Sequence, residues 1–491
     1  MRSDRKQRER EERKRTKTKF GHVTRFWSWI FLLVAAAFAG LLVYANILPK
    51  KYLYAALGVL GVIVLILFPI LFLFRVRNGK KGAAFVISLL ITALLVIGGR
   101  YLVGTLSFIG NITDIGLKLD KYYVVVRDDG QYEELSDIGG SVLAYYRNGA
   151  DFEGAMSQLQ NKVTITPTEY DSLPVMVDAL LEGDVNATFM SSSNYESTKE
   201  VREGFEDDTK ILDTISIRLS ISSIAKPVEV SREPFNVVIS GLDFEGNFDA
   251  YTSGRSDVNM VATVNPKTHQ ILLTSIPRDY YVPLAMNGEY DKLTHTGVYG
   301  VDETVNTIAK LTGVEINYYM RVNFSTVVTL VDAIGGIDIT PEMSFTTVDG
   351  AYSFEGGVET HVDGTQALAF ARERKAFSDG DFQRNRDQQI VMAAILKKVT
   401  QSSTLLLNYT DILAAVEGNM ATNLSAADIK ELVRAQADEM SGWRIETQNI
   451  LGVGSMEPCY SAGYAYASVV LQDADSIATA TARIREVMEA E

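Results

Sequence analysis

Arginines and aspartates gather at the ends of short apolar runs in three places along the chain. Asp243 closes the run from Phe235, and Arg255-Ser-Asp257 opens another that continues from Val258 to Val264. Two residues apart at a strand start, Arg255 and Asp257 share one face of a sheet. Such a pair is either an ordinary ion pair or an Asp that holds Mg²⁺ while the Arg grips an adjoining phosphate. The second cluster, Arg278-Asp279, follows the run Ile271–Ile276. Asn265-Pro266-Lys-Thr-His269 between the two runs reads as a turn, so they should form a hairpin that brings Arg278 near Arg255 and Asp257. The third cluster is Phe370-Ala-Arg372-Glu-Arg374-Lys375, a short loop, and then Asp381-Phe-Gln-Arg384-Asn-Arg386-Asp-Gln388-Gln389. On a helix, Asp381, Arg384 and Gln388 fall within about 60° of one another. Arg372 and Arg374 point apart on a continuous helix, whereas a helix that ends before the Ser378-Asp-Gly380 loop lets both reach one ligand. Taken alone, that charge run also reads as a solvated face. Lys292, in Asp291-Lys-Leu-Thr-His295, is a weaker candidate of the same kind. Several guanidiniums drawn into one site need a dense counter-charge, and a pyrophosphate supplies one while also ligating Mg²⁺.

Other chemistries lack support. There is no G-x-S-x-G elbow, no H-E-x-x-H and no Walker lysine loop. A lone Cys459 excludes an intrachain disulfide framework and a cysteine-based zinc site, and four histidines make a His-rich metal site unpromising. The net charge of -14 hides a split: 18 Lys and Arg stand against 4 Asp and Glu up to Arg100, and 29 against 57 after it. An acidic body repels nucleic-acid phosphates, so no direct nucleic-acid binding is expected.

The basic head leads to what must hold the site in place. Residues 1–25 form a polar basic tail, followed within 26–104 by three apolar stretches: Phe26–Ile47, Tyr52–Phe74 and Ala83–Val103. Each is near the ~20 residues that cross a bilayer as a helix. The tail and the Arg75–Lys81 link are the richest basic segments, so the positive-inside rule places the N-terminus in the cytoplasm and the large domain outside a multi-pass cell-membrane anchor. Residues 118–228 read as a small α/β accessory domain, with strands at Tyr122–Val126 and Val185–Met190 and helices at Phe152–Lys162 and Asp171–Leu181. Residues 225–234 resemble a linker. From 235 to about 400 strands and helices mix as in an α/β domain, with helices at Asp302–Leu311 and Ser325–Ile334. Residues 401–491 read as a C-terminal α/β extension, with helices near 403–417, 425–439 and 472–489 and strands near 444–452 and 463–470.

In these motifs the chain resembles the LytR–CpsA–Psr family, and its capsule branch in particular. The residues that carry the likeness are Ser240-Gly-Leu-Asp243, Arg255-Ser-Asp-Val258, Ser275-Ile-Pro-Arg-Asp279, Lys292-Leu-Thr-His, Val322-Asn-Phe-Ser-Thr-Val-Val328, Asp332-Ala-Ile-Gly-Gly-Ile-Asp338, Phe370-Ala-Arg-Glu-Arg374 and Asp381–Gln389. The resemblance implies an α-β-α-like catalytic domain with an apolar pocket for a polyprenyl tail and pyrophosphate at its mouth. It implies a Mg²⁺-dependent phosphotransferase that moves a glycopolymer, here capsular polysaccharide, from a polyprenyl-pyrophosphate-linked donor to peptidoglycan. Contact with the capsule-synthesis machinery follows from the same likeness. On that pattern Asp257 and Asp243 attend the metal, and Arg255, Arg278, Lys292, Arg372, Arg374, Arg384 and Gln388 bind pyrophosphate. Arg278, Asp279 and Asp381 are the catalytic candidates, the two aspartates as supports or bases. The alternative is a membrane-bound regulator, a transcriptional attenuator of capsule or cell-wall polysaccharide synthesis. Only the tail would then face the cytoplasm, and it carries no helix-turn-helix pattern.

Overall fold

The computed structural model describes residues 2–73, 78–112, 117–147, 152–220, 226–242, 254–378, 380–400, 412, 419–439 and 442–491. It divides into two compact units. The first holds the helices α1 (Arg2–Ala45), α2 (Lys50–Phe72) and α3 (Asn78–Ile112), together with the helix Ala426–Glu439. Among the described residues, three stretches are long and apolar enough to cross a membrane: Phe20–Ala45, Lys50–Phe72 and Gly79–Ser107. At 1.5 Å per residue each exceeds the ~30 Å of a hydrocarbon core. Phe31, Leu67, Leu71 and Ala84 pack between the helices, and Trp27 Nε1 donates to Ser88 Oγ at 2.9 Å. Leu33, Leu65 and Leu94 stand outward and exposed, an arrangement that suits lipid and not water. The chain is thus built for membrane anchoring. The basic tail from Arg2 continues the helix of the first span instead of forming a separate coil. Arg, Lys, Glu and Gln are good helix formers, and an apolar helix already nucleated propagates into them at little cost.

The second unit is built on two large sheets, of five and six strands. In the first, β1 (Leu117–Arg127), β2 (Val142–Tyr145), β3 (Thr166–Glu169), β4 (Ala187–Ser191) and β5 (Thr209–Ser220) lie in the order β3-β2-β4-β1-β5. Alternation along β1 sorts its residues onto two faces. Tyr122, Val124 and Val126 pack with Phe152, Ala155 and Leu159 of α4 (Phe152–Lys162). Val125 packs with Met176, Val177 and Leu180 of α5 (Leu173–Glu182), and with Tyr195 of α6 (Ser192–Val201).

The second sheet is built around β6 (Phe235–Leu242), β7 (Ser256–Asn265) and β8 (Gln270–Ile276). All eight residues of β6 are buried, because helices cover both faces, and the buried polar Asn236 and Ser240 are hydrogen-bonded. Short β9 (Tyr281–Pro283) and β10 (Tyr290–Lys292) pair as a separate ribbon. Next come α7 (Val301–Thr312), β11 (Tyr318–Asn323), α8 (Phe324–Ala333), α9 (Gly364–Arg372), α10 (Asp381–Thr400), β12 (Met420–Thr422), β13 (Arg444–Asn449) and α11 (Ala474–Glu489). The sheet order is β12-β11-β6-β7-β8-β13. Val238, Val261 and Leu272 meet α7 and α11 through Val301, Val305, Ile308, Ile484 and Val487. The opposite face, carrying Val258, Met260 and Val322, turns to Phe324 and Val327 of α8, Leu368 of α9 and Val391 and Ile395 of α10. The fold is therefore an α-β-α sandwich with a mixed sheet.

This sheet draws on residues beyond the boundary read at residue 400. Both edge strands, β12 and β13, and the covering helix α11 come from residues after it. A three-residue edge strand and a solvent-facing one carry little hydrophobic signal, so the sequence pattern ran out before the sheet did. The helix expected at 425–439 groups with the spans, where Arg434 Nη2 donates to the Asn46 carbonyl at 2.7 Å. The helix expected near 403–417 lies, save for Ile412, outside the described residues.

Candidate anion-binding site

The hairpin sets the geometry. Asn265 Oδ1 accepts the backbone N–H groups of Lys267 and Thr268, which forms the turn between β7 and β8. The register pairs Asn259 with Ile276, so two residues further toward the open end Asp257 faces Arg278. Arg278 Nη1 donates to Asp257 Oδ2 at 3.0 Å, and Thr294 Oγ1 donates to Oδ1 at 2.9 Å. Asp279 stands next in the row: its Oδ2 is 3.6 Å from Arg278 Nε and its Oδ1 is 3.6 Å from Lys292 Nζ. Gly297 presses against this strand end. A Cβ there would stand 2.5 Å from the Gly254 carbonyl oxygen and 2.7 Å from Ser256 N, so only glycine leaves the Arg255–Asp257 backbone in place.

A second row lies behind the first. Lys292 is 1% exposed and donates to Glu200 of α6, in the first sheet's module. Glu200 Oε2 is 3.2 Å from His295 Nε2 and 3.9 Å from Arg255 Nη1. His295 Nδ1 is 2.6 Å from Asp291 Oδ1 and 2.9 Å from Ser461 Oγ, and Asp291 Oδ2 accepts from Ser461 N at 2.9 Å. Burial disfavours the charged imidazole, but Asp291 and Glu200 outweigh it and push the His295 pKa up to about 9. Burial would likewise raise Glu200, yet His295 and Lys292 hold its carboxyl well below the usual carboxylate range. At neutral pH these described residues balance: Arg255, Arg278, Lys292 and His295 against Glu200, Asp257, Asp279 and Asp291. A floor that is already neutral leaves the charge for a pyrophosphate to be supplied from above it.

That supply stands at the end of α9, which stops at Arg372 and leaves Arg374 in the following loop. Glu373 shapes the loop: its Oε1 accepts the N–H groups of Arg374, Lys375 and Ala376, and its Oε2 that of Val348. Burial alone would raise its carboxyl, but these four donors bring it below the usual value. The Arg372 guanidinium lies 4.3 Å over the Phe324 ring. Arg372 and Gln388 both line an apolar cleft walled by Leu242, Val258, Met260, Phe324, Leu368 and Met392, among others. Its cavity volume is about 50 Å³. Val258 of the cleft wall is the chain neighbour of Asp257 in the ionic floor. On its other side Arg372 lines a polar groove with Asp349, Tyr352, Arg374 and Lys375.

The remaining candidates are placed as follows. Arg384, 8% exposed, sits one helical turn before Gln388 on α10, on the same side. Asp381 opens α10, with its side chain outside the described residues, and Asp243 lies outside them altogether. Among the described residues no three His, Cys, Asp or Glu are grouped to hold a metal. Mg²⁺ commonly takes only one or two carboxylates beside substrate phosphates and water. Asp257 fits that donor type, since from the described residues each of its oxygens accepts one hydrogen bond and a carboxylate oxygen carries two lone pairs.

Glu200, Thr294, Asp291, His295 and Ser461 were not read as site residues. The spacing Asp291-x-x-x-His295 was a usable signal, because Lys292 and Thr294 lie within it. For Glu200 there was none: the helix SSNYESTKEV looks solvated in sequence, and its burial comes entirely from tertiary packing.

The LytR_cpsA_psr family profile matches residues 188–483. The polyisoprenyl-teichoic acid–peptidoglycan teichoic acid transferase TagU of Bacillus cereus (strain AH820) is 35% identical over 260 residues, which is 53% of this chain and 80% of that protein. The protein of the same name from Enterococcus faecalis (strain ATCC 700802 / V583) is 35% identical over 229 residues, 46% of this chain and 73% of its own length. The crystal structure of B. subtilis TagU is 29% identical, covers 53% of this chain and 99% of its own, and superposes with a TM-score of 0.40.

Proposed function

The chain belongs to the LytR–CpsA–Psr family, and from that premise and the geometry we propose that it is a membrane-anchored transferase that moves a glycopolymer from a polyprenyl pyrophosphate donor to peptidoglycan. Relatives named as teichoic acid–peptidoglycan transferases support the reaction class. One observation carries the reading to this chain: Arg372 and Gln388 stand in the wall of an apolar cleft that also holds Val258, the chain neighbour of Asp257, which Arg278 fixes. Lipid and pyrophosphate are joined in the donor, and an apolar cleft joined to arginines is their complement.

In the reaction we propose, an acceptor sugar hydroxyl attacks the glycan-side phosphorus. A P–O bond forms to the acceptor, the bond to the bridging oxygen breaks, and polyprenyl phosphate leaves. Arg372 and Arg374 fork onto the pyrophosphate oxygens and meet their charge, while Arg278 and Arg255, already balanced by carboxylates, orient the leaving phosphate as donors. Asp279 and Asp381 are the proposed supports or bases for the acceptor's proton. Mg²⁺, held by Asp257 with Asp243, would add a Lewis acid on the phosphate oxygens. Its need follows from the neutral floor, which leaves two exposed arginines to match a pyrophosphate. The basic tail puts the N-terminus in the cytoplasm and the site outside, where a lipid-linked donor replaces ATP as the activated phosphate. Capsular polysaccharide is the glycan we propose, on the three-span anchor and the first module. Teichoic acid, named for the relatives, is its competitor.

Detergent-extracted protein analysed by native mass spectrometry should carry a polyprenyl phosphate or pyrophosphate that Arg372→Ala no longer retains. Retention of ordinary phospholipid alone, unchanged by the substitution, would contradict the assignment.

A further inference from the structure

Among the described residues, Glu200 is the one carboxylate of this site that comes from the first module. It ends a row of alternating charge: Glu200, Lys292, Asp279, Arg278, Asp257. We propose that Glu200 is a positioning residue for the transferase site, by which α6 of the first module holds Lys292 and His295 and thereby fixes Asp279 against Arg278. The proposal rests on the transferase reading above.

Lys292 is the pivot. Its ammonium is buried and shared between Glu200 and Asp279. Without Glu200, a buried ammonium has one nearby carboxylate and must draw fully onto it. Asp279 then yields its place 3.6 Å from Arg278, and Arg278 is the residue that fixes Asp257. The imidazole adds a second hold. His295 lies between Glu200 and Asp291, and Ser461 closes the ring, itself accepting from Ser197 of α6 at 2.7 Å. The module therefore grips this network at two points of one helix. Other titratable groups facing it are Arg255, Cys459, Tyr281, Tyr299 and Tyr460. Burial pushes the Cys459 thiol and all three phenols up, with the Asp291 charge adding to it, so they stay neutral through the physiological range. The pH response thus belongs to His295 and its two carboxylates. Because its folded pKa is raised, the imidazolium's contribution to stability is present below pH about 6.5 and is lost as pH rises through about 9.

The test uses the full-length protein in detergent and the variants Glu200→Gln and Glu200→Asp. NMR of the labelled imidazole, one of four in the chain, should show His295 protonated past pH 8 in the parent protein. In Glu200→Gln it should titrate at least one unit lower. Donor turnover by that variant should fall 10-fold or more in kcat, with KM for the donor changed less than threefold, and Glu200→Asp should recover most of the loss. An unshifted His295 titration in Glu200→Gln overturns the clamp. A shifted titration with parental kcat overturns the positioning role and leaves a structural contact. A shifted titration in Glu200→Gln beside a parent protein that turns over no donor upholds the clamp and removes the transferase reading instead.

Discussion

Arg372→Ala should lower glycan transfer by about 10³-fold while leaving the fold intact, because one preorganised guanidinium on a transferring phosphoryl group is worth that order. The side chain is exposed and stands over Phe324 at the junction of the apolar cleft and the polar groove. Removing it forfeits the ring contact, worth about 0.5–1 kcal/mol at an exposed site. That cost shifts the melting temperature by only a few degrees. Arg372→Lys keeps the charge but not the fork, so it should recover a minor part of the rate. Turnover and thermal unfolding measured on the same preparations decide the matter. A variant with parental turnover would show that Arg372 is a solvated residue of the helix end, as its charge run reads in isolation.

Asp257→Asn separates a metal ligand from a mere partner of the arginines. The substitution leaves Arg278 facing an amide, and a part-buried pair broken on one side costs a few kcal/mol whatever else Asp257 does. Stability alone therefore does not discriminate, and affinity does. If Asp257 only neutralises arginines, the variant should bind pyrophosphate as well as the parent or better, since a negative charge has left an anion site. If it holds Mg²⁺, parental binding of pyrophosphate should strengthen with Mg²⁺ and weaken in EDTA. The variant should then bind equally in both and turn over at least 10²-fold more slowly. Full activity of the parent protein in EDTA would end the metal role.

How much of this was legible depended on where each signal sits. Long apolar stretches mark the three membrane-length helices whatever surrounds them, and two short apolar runs joined by an Asn-Pro turn mark the β7–β8 hairpin. From those two strands alone, Arg278 could be placed beside Asp257, because an antiparallel register is set by its turn. Arg372 and Arg374 were readable as a helix end because Gly380 and its neighbours break the run. The edge strands β12 and β13 were not readable as parts of one sheet, since short edges carry little apolar pattern and join β11 and β8 from far along the chain. Glu200 was the least readable of all. A polar helix becomes buried only when a second module packs on it, and no local propensity records that. Asp243 lies outside the described residues, so its place beside Asp257 remains part of the proposal.

The most direct measurement follows the phosphorus. Purified protein in detergent is given a polyprenyl pyrophosphate glycan labelled with ³²P at the glycan-side phosphate, together with peptidoglycan. The account predicts label in covalent linkage to the wall polymer, unlabelled polyprenyl monophosphate released in equal amount, and neither product with Arg372→Ala. Label that stays with the lipid while unphosphorylated glycan appears on peptidoglycan would contradict it, because the bond broken would then be sugar to phosphate and not phosphate to phosphate.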